Sequence, residues 1–203
     1  MSTMSVWAVS RLRMATDGVG VTTLVTAEGC PLRCKYCLNP VSWNGEARSV
    51  CLTPEELYEK VKIDNLYFQA TGGGITFGGG EPLLYPDFIA EFREICPPEW
   101  KIRIETSLNV PRENIEKVLD AADEFIVDIK GMNPEIYRAY TGKSNKQVYF
   151  NLAYLLASKG PGQVLARIPL IPGFNTEADT ESSLTVLRGM GMDRFDLFRY
   201  QTR

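Results

Sequence analysis

The sequence predicts an α/β protein with a parallel sheet, built as an open, partial (βα)6 barrel of the TIM type. Three observations predict it. Apolar, β-rich runs alternate with helical patterns six times along the chain, and such alternation builds parallel sheets with right-handed crossovers. The 203 residues fall short of the ~250 that eight βα units typically take. No linker or low-complexity stretch interrupts the chain, so a single domain over residues 1–203 is expected.

Val21–Ala27 reads as the first strand and runs into a cysteine-rich loop. Thr53-Pro54-Glu55-Glu56 has the form of a capping box with proline at the first helical position. It opens a helix carrying Leu57, Val61 and Phe68. Gly74–Phe77 is a short second strand, Phe88, Phe92 and Ile95 mark a helix, and Lys101–Thr106 is the third strand. Ile115, Val118, Leu119 and Ala122 recur at helical spacing. Phe125–Ile129 is an apolar run suited to a strand buried on both faces. Asn151–Lys159 reads as helix, Val164–Ile171 as strand, Thr176–Met190 as helix and Phe195–Tyr200 as the last strand. The segment Met1–Arg13 is short and mixed, without the apolar stretch of a secretory signal.

Composition excludes several classes. Net charge is −3 without a basic block, so no nucleic-acid partner is expected. No run approaches the ~20 apolar residues of a membrane span, so no membrane association is expected and a cytoplasmic location is. Histidine is absent, which removes Ser–His and Cys–His nucleophiles and every His-containing zinc site.

Five cysteines are present, and Cys30, Cys34 and Cys37 fall within eight residues. An odd number and a tight cluster fit a disulfide framework poorly. Thiolates hold iron–sulfur clusters, usually four to a cubane. Three would leave one iron open, as a catalytic metal site requires. A zinc knob or incidental buried thiols remain the alternatives, although zinc wants a fourth ligand nearby.

In parallel α/β folds the active site lies at the carboxyl ends of the strands, and the chemistry-bearing residues fall there. Cys30–Cys37 follow the first strand, Gly78-Gly79-Gly80-Glu81 the second, and Glu105-Thr106-Ser107 end the third. Asp128 and Lys130 end the fourth, two apart and so on one face, and Arg167 lies on the fifth. Thr71–Glu81 is no dinucleotide fingerprint, because its glycines flank a strand and do not open a helix after one. A plain strand-to-helix turn at Glu81 and a structural Asp128–Lys130 ion pair are the bland readings of these two features.

The Cys30-x3-Cys34-x2-Cys37 spacing, with Tyr36 before the third cysteine, resembles the radical S-adenosylmethionine (SAM) superfamily. More specific stretches are similar to the glycyl radical enzyme activating enzymes, of the pyruvate formate-lyase activating type. They are Asp17-Gly18-Val19-Gly20, Tyr36-Cys37-Leu38-Asn39-Pro40, Gly79-Gly80-Glu81-Pro82 and Val127-Asp128-Ile129-Lys130-Gly131-Met132-Asn133. Tyr140-Thr141-Gly142 and the run from Arg167 to Asn175 complete the set. The resemblance implies a radical SAM core with a [4Fe–4S] cluster on Cys30, Cys34 and Cys37. It implies SAM contacts from Tyr36, Asn39, Gly79, Gly80, Glu81, Thr106, Asp128, Lys130 and Arg167. Glu81 and the glycine backbone would take the amino group of SAM, Lys130 its carboxylate, and Asp128 the ribose or a cation. A monovalent cation site would fall on Glu105, Thr106 and Asp128, and Asp17 would touch the partner.

The mechanism so implied is one-electron reduction of the cluster, cleavage of SAM to methionine and a 5′-deoxyadenosyl radical, and hydrogen abstraction from a partner glycine. A flavodoxin or ferredoxin-type electron donor, an anaerobic setting and a monomer are expected with it. A small-molecule substrate, or a degenerate cluster-binding protein without turnover, are the competing readings. Two departures stand out. Asn44–Thr53 holds only Cys51, so no ferredoxin-like insertion with a second cluster is expected. Relatives carry a histidine just after the sixth strand and then a helix, where this chain reads Tyr200-Gln201-Thr202-Arg203.

Overall fold

The computed structural model describes residues 1–14 and 16–200. The chain divides into two compact units. The first holds Met1–Cys30, Asn39–Thr106 and Glu113–Phe125; the second holds Pro31–Leu38, Ser107–Arg112 and the chain from Ile126 onward.

The first unit opens with β1 (Met4–Met14) antiparallel to β2 (Val21–Ala27). A one-turn helix α1 (Val41–Asn44) leads to β3 (Val50–Leu52), which pairs antiparallel with the start of β1. Helix α2 (Pro54–Val61) begins at the expected capping box, with Thr53 and Glu56 bonded reciprocally. A 3-10 turn, Lys62–Asp64, separates it from α3 (Asn65–Thr71), so the single expected helix is two. The break has a cause: buried Asp64 turns inward to accept bonds from Arg11 Nε at 2.9 Å and Thr23 Oγ1 at 2.9 Å. A buried carboxylate needs such partners.

Next come β4 (Gly74–Gly78), α4 (Pro86–Ile95) and β5 (Lys101–Thr106), with β2, β4 and β5 mutually parallel. Every residue of β4 is buried, as a strand covered on both faces should be. Rings fill the space above it. Phe77 meets Phe92 edge-on at 5.6 Å, and Trp100 meets Phe68 edge-on at 4.9 Å while its Nε1 donates to Asn65 Oδ1. Buried aromatic pairs favour such geometry, and a buried indole needs its acceptor.

The stripe Ile115–Ala122 is helical only over α5 (Arg112–Glu116); its later residues curl into turns that bury Val118 and Ala122. Strand β6 (Glu124–Asp128) follows. In the second unit α6 (Pro134–Thr141), α7 (Lys146–Lys159), β7 (Val164–Leu170), α8 (Glu177–Gly189) and β8 (Phe195–Arg199) complete the chain, with β7 and β8 parallel. Buried Asn151 donates to the carbonyls of Leu108 and Val110, so the non-helical backbone there is satisfied. The strand order is β3-β1-β2-β4-β5-β6-β7-β8.

All six expected strands are present, and two more, β1 and β3, extend the sheet at one edge in antiparallel sense. The segment Met1–Arg13, read only as short and mixed, is therefore mostly strand. Its apolar alternation is broken by register shifts at Val6/Ala8 and Ser10/Arg13, which rotate side chains off a strict period of two. Helix α6, also unforeseen, opens at Asn133, whose side chain caps the amides of Glu135 and Ile136.

Candidate active site

Strand β2 delivers the chain into the cysteine loop. Cys30 closes the first unit's opening segment, while Cys34 and Cys37 lie on the Pro31–Leu38 segment of the second. All three lie outside any disulfide and are partly exposed; Cys51 is exposed and Cys96 buried. Burial pushes the Cys34 thiol up, and nearby Lys130 pulls it only part of the way back. Among the described residues no three His, Cys, Asp or Glu side chains converge as a ready metal site. The donor set nonetheless suits a thiolate-held cluster: three cysteines on one short loop, none in a disulfide, in a chain without histidine.

The loop backbone is fixed within the second unit. Arg33 N donates to Thr141 O at 3.0 Å and Lys35 N to Tyr140 O at 3.1 Å, so the C-terminal carbonyls of α6 receive it. Cys37 N turns back to Cys34 O at 3.2 Å. The Tyr36 ring lies among Phe174 at 5.7 Å, Tyr200 at 6.2 Å and Tyr140 at 6.4 Å. Phe174 is placed by a turn after β7 in which Asn175 Nδ2 donates to Pro169 O and Asn175 Oδ1 accepts from Ile171 N.

In the first unit the glycine-rich turn after β4 interlaces with the end of β2. Gly80 N donates to Ala27 O, and Glu81 N to Gly29 O at 2.8 Å. A Cβ on Gly80 would strike the carbonyl oxygens of Ala27 and Gly29, so only glycine fits. Asn39 Nδ2 reaches Gly79 O at 3.2 Å, tying the end of the cysteine motif to the same turn. The buried Glu81 carboxylate accepts from Thr106 Oγ1 at 2.6 Å and from Leu83 N at 3.3 Å. Glu105 precedes Thr106 on β5, with its side chain against Gly78. Arg13 pairs with the buried Asp17 carboxylate, and Thr76 Oγ1 donates to Asp17 O.

Asp128 ends β6, and Lys130 lies just past it; their side chains pair at 2.9 Å, both largely buried. Burial opposes the charge on Lys130, but Asp128 and Cys34 beside it hold the ammonium above the usual lysine range. Arg167 on β7 lies 3.5 Å from Asp196 of β8. The second unit thus brings Cys34, Cys37, Lys130 and Asp128 into mutual electrostatic range, and the first brings together Asn39, Gly79, Gly80, Glu81 and Thr106.

The sequence profile of the Radical SAM superfamily matches residues 24–183. The chain belongs to that superfamily. Among curated relatives, it is 31% identical to the (2S)-3-sulfopropanediol dehydratase activating enzyme of Klebsiella oxytoca, with 79% of this chain and 69% of that one aligned. It is 38% identical to the pyruvate formate-lyase-activating enzyme of Clostridium pasteurianum over 64% of this chain and 54% of that one. By these likenesses it is a radical SAM enzyme of the glycyl radical activase type, and the superfamily implies a [4Fe–4S] cluster and SAM.

Solved structures confirm the fold alone. Streptococcus suis SuiB bound to S-adenosylmethionine matches with a TM-score of 0.67 at 15% identity, covering 86% of this chain and 39% of that one. Native anSMEcpe with bound AdoMet matches with a TM-score of 0.62 at 17% identity, covering 86% and 50%. The radical SAM core is the partial TIM-type barrel expected from strand–helix alternation.

Reasoning from sequence gave no role to Tyr140, Phe174 and Tyr200, the aromatic frame around Tyr36. The first two lie in stretches already quoted for their resemblance; Tyr200 carried no local signal beyond ending an apolar run. No helix among the described residues is long and apolar enough to cross a membrane.

Proposed function

We propose that this chain is an activase that makes a glycyl radical on a partner glycyl radical enzyme. The observation that carries the reading is a loop of three cysteines, Cys30, Cys34 and Cys37, in a chain 31% and 38% identical to two activating enzymes. Cys30, Cys34 and Cys37 would hold the cluster, with Tyr36 and Asn39 shaping the loop beside it. Once loaded, the cluster and SAM supply one-electron cleavage of SAM and abstraction of a hydrogen atom from a glycine α-carbon.

The protein's part is binding, orientation and exclusion of water. Glu81, held by Thr106, presents a carboxylate to an ammonium, and the turn at Gly79 and Gly80 offers carbonyls beside it. Lys130, kept charged by Asp128, offers a cation to a carboxylate. Asp128 and Arg167 would complete the SAM contacts, and Asp17 would face the partner's glycine loop. We assign the chain a single radical SAM domain without a ferredoxin-like insertion, a flavodoxin or ferredoxin-type donor, a monomeric state and a cytoplasmic setting.

The test is anaerobic incubation of the loaded, reduced protein with SAM and glycyl radical enzymes of the dehydratase and pyruvate formate-lyase classes. Electron paramagnetic resonance should show a protein glycyl radical on one of them. SAM cleavage without a radical on any partner would instead point to a small-molecule substrate and sink the activase reading.

A further inference from the structure

We infer that Tyr200 is a positioning residue for the cysteine loop, holding the backbone between Cys34 and Cys37 at Tyr36. The inference rests on the reading of those two cysteines as cluster ligands. Its geometry lies entirely within the second unit.

The loop has two halves, held differently. Up to Lys35 it is fixed by main-chain bonds to the carbonyls of Tyr140 and Thr141. Beyond Lys35 the Cys37 amide only turns back on Cys34, within the loop itself. The Tyr36 carbonyl is instead reached by a side chain, the Tyr200 hydroxyl, which donates to it. Tyr200 can act as a strut because it is itself anchored. Its N–H donates to Leu170 O at 2.9 Å, one residue past β8, and its ring lies 6.3 Å from Phe198 and 6.2 Å from Tyr36. Its hydroxyl lies close to Tyr140, the residue whose carbonyl holds Lys35. One tyrosine therefore joins the chain just past the last strand to the loop at Tyr36.

A loop that must present two thiolates in fixed geometry binds a cluster more tightly when its backbone is ordered beforehand. Groups that orient metal ligands from behind typically change metal affinity 10- to 100-fold when removed. The Tyr200 hydroxyl donates to the peptide that connects the two thiols, and its action runs through that peptide.

The experiment compares the full chain with Tyr200→Phe, which keeps the ring and removes the hydroxyl. In the cluster-free proteins, amide exchange at Lys35–Cys37 should run about three- to tenfold faster in the variant, the loss of one hydrogen bond. Exchange in β6 should not change. In the reconstituted proteins, iron should pass to a chelator roughly tenfold faster from the variant. Unchanged loop exchange, or a uniform acceleration that includes β6, would overturn the inference. Because exchange is read without cluster or SAM, that result is distinct from a wild-type chain that takes up no cluster. The latter would sink the proposed function, and the cluster half of this inference with it.

Discussion

Thr106 donates to Glu81 across 2.6 Å, joining the end of β5 to the turn after β4, and both side chains are buried. The relationship decides what Glu81 can do. A carboxylate held on one side by a hydroxyl and an amide keeps one orientation, which is what recognition of an ammonium requires.

Thr106→Val keeps the shape and removes the donor. The variant should lose about 1–3 kcal/mol of stability, because a buried acceptor is left short of a partner. For a domain of this size that is a fall of several degrees in Tm. SAM affinity, read by equilibrium binding to the loaded protein, should drop by roughly tenfold.

Gly80 and Gly162 separate crowding from propensity. Gly80→Ala would force backbone apart at Ala27 and Gly29, whereas a Cβ on Gly162 meets nothing within 4 Å. Calorimetry should show Gly80→Ala destabilised by more than about 2 kcal/mol, with Gly162→Ala within about 0.5 kcal/mol of the parent.

Lys130→Met leaves Asp128 largely buried without its cation. Fully buried pairs cost about 3–5 kcal/mol when one partner is removed. Here the side chains retain 17% and 22% exposure, so about 1–3 kcal/mol is expected. Lys130 is held above the usual lysine range, so its contribution is complete below about pH 10 and fades only as pH rises through the folded value. Urea melts should therefore show the same gap between parent and variant at about pH 7 and pH 9.

Thiol reactivity should follow burial. In the cluster-free protein iodoacetamide should modify exposed Cys51 first. Burial raises the Cys34 and Cys96 thiols, so their alkylation should be slow and should climb only at higher pH than an ordinary thiol's. Peptide mass spectrometry reads the order directly. After reconstitution Cys30, Cys34 and Cys37 should become protected while Cys51 stays reactive.

The parts legible in the sequence were those whose physics is local. β2 and β5 are continuous runs between turn signals, and their bounds match the expected ones. The helix at Pro54 announced itself through a capping box. β1 was hidden because its bulges and its arginines, Arg11 and Arg13, spoil the alternation. Those arginines have partners far along the chain or across a turn, Asp64 and Asp17, which periodicity cannot show. The same distinction runs through the site. The cysteines and the Gly79-Gly80-Glu81 turn are recognisable by residue type and spacing. Tyr200 was not, because its partner Tyr36 lies 164 positions away and the bond is to a backbone carbonyl.

Radical SAM chemistry on the thiols of one loop underlies every role given to this chain. The most direct test is to reconstitute the protein with iron and sulfide without oxygen, reduce it, add SAM and measure 5′-deoxyadenosine beside Cys34→Ala. Product is expected from the parent and none from the variant. No product from a parent whose cluster is spectroscopically intact and reduced would contradict it.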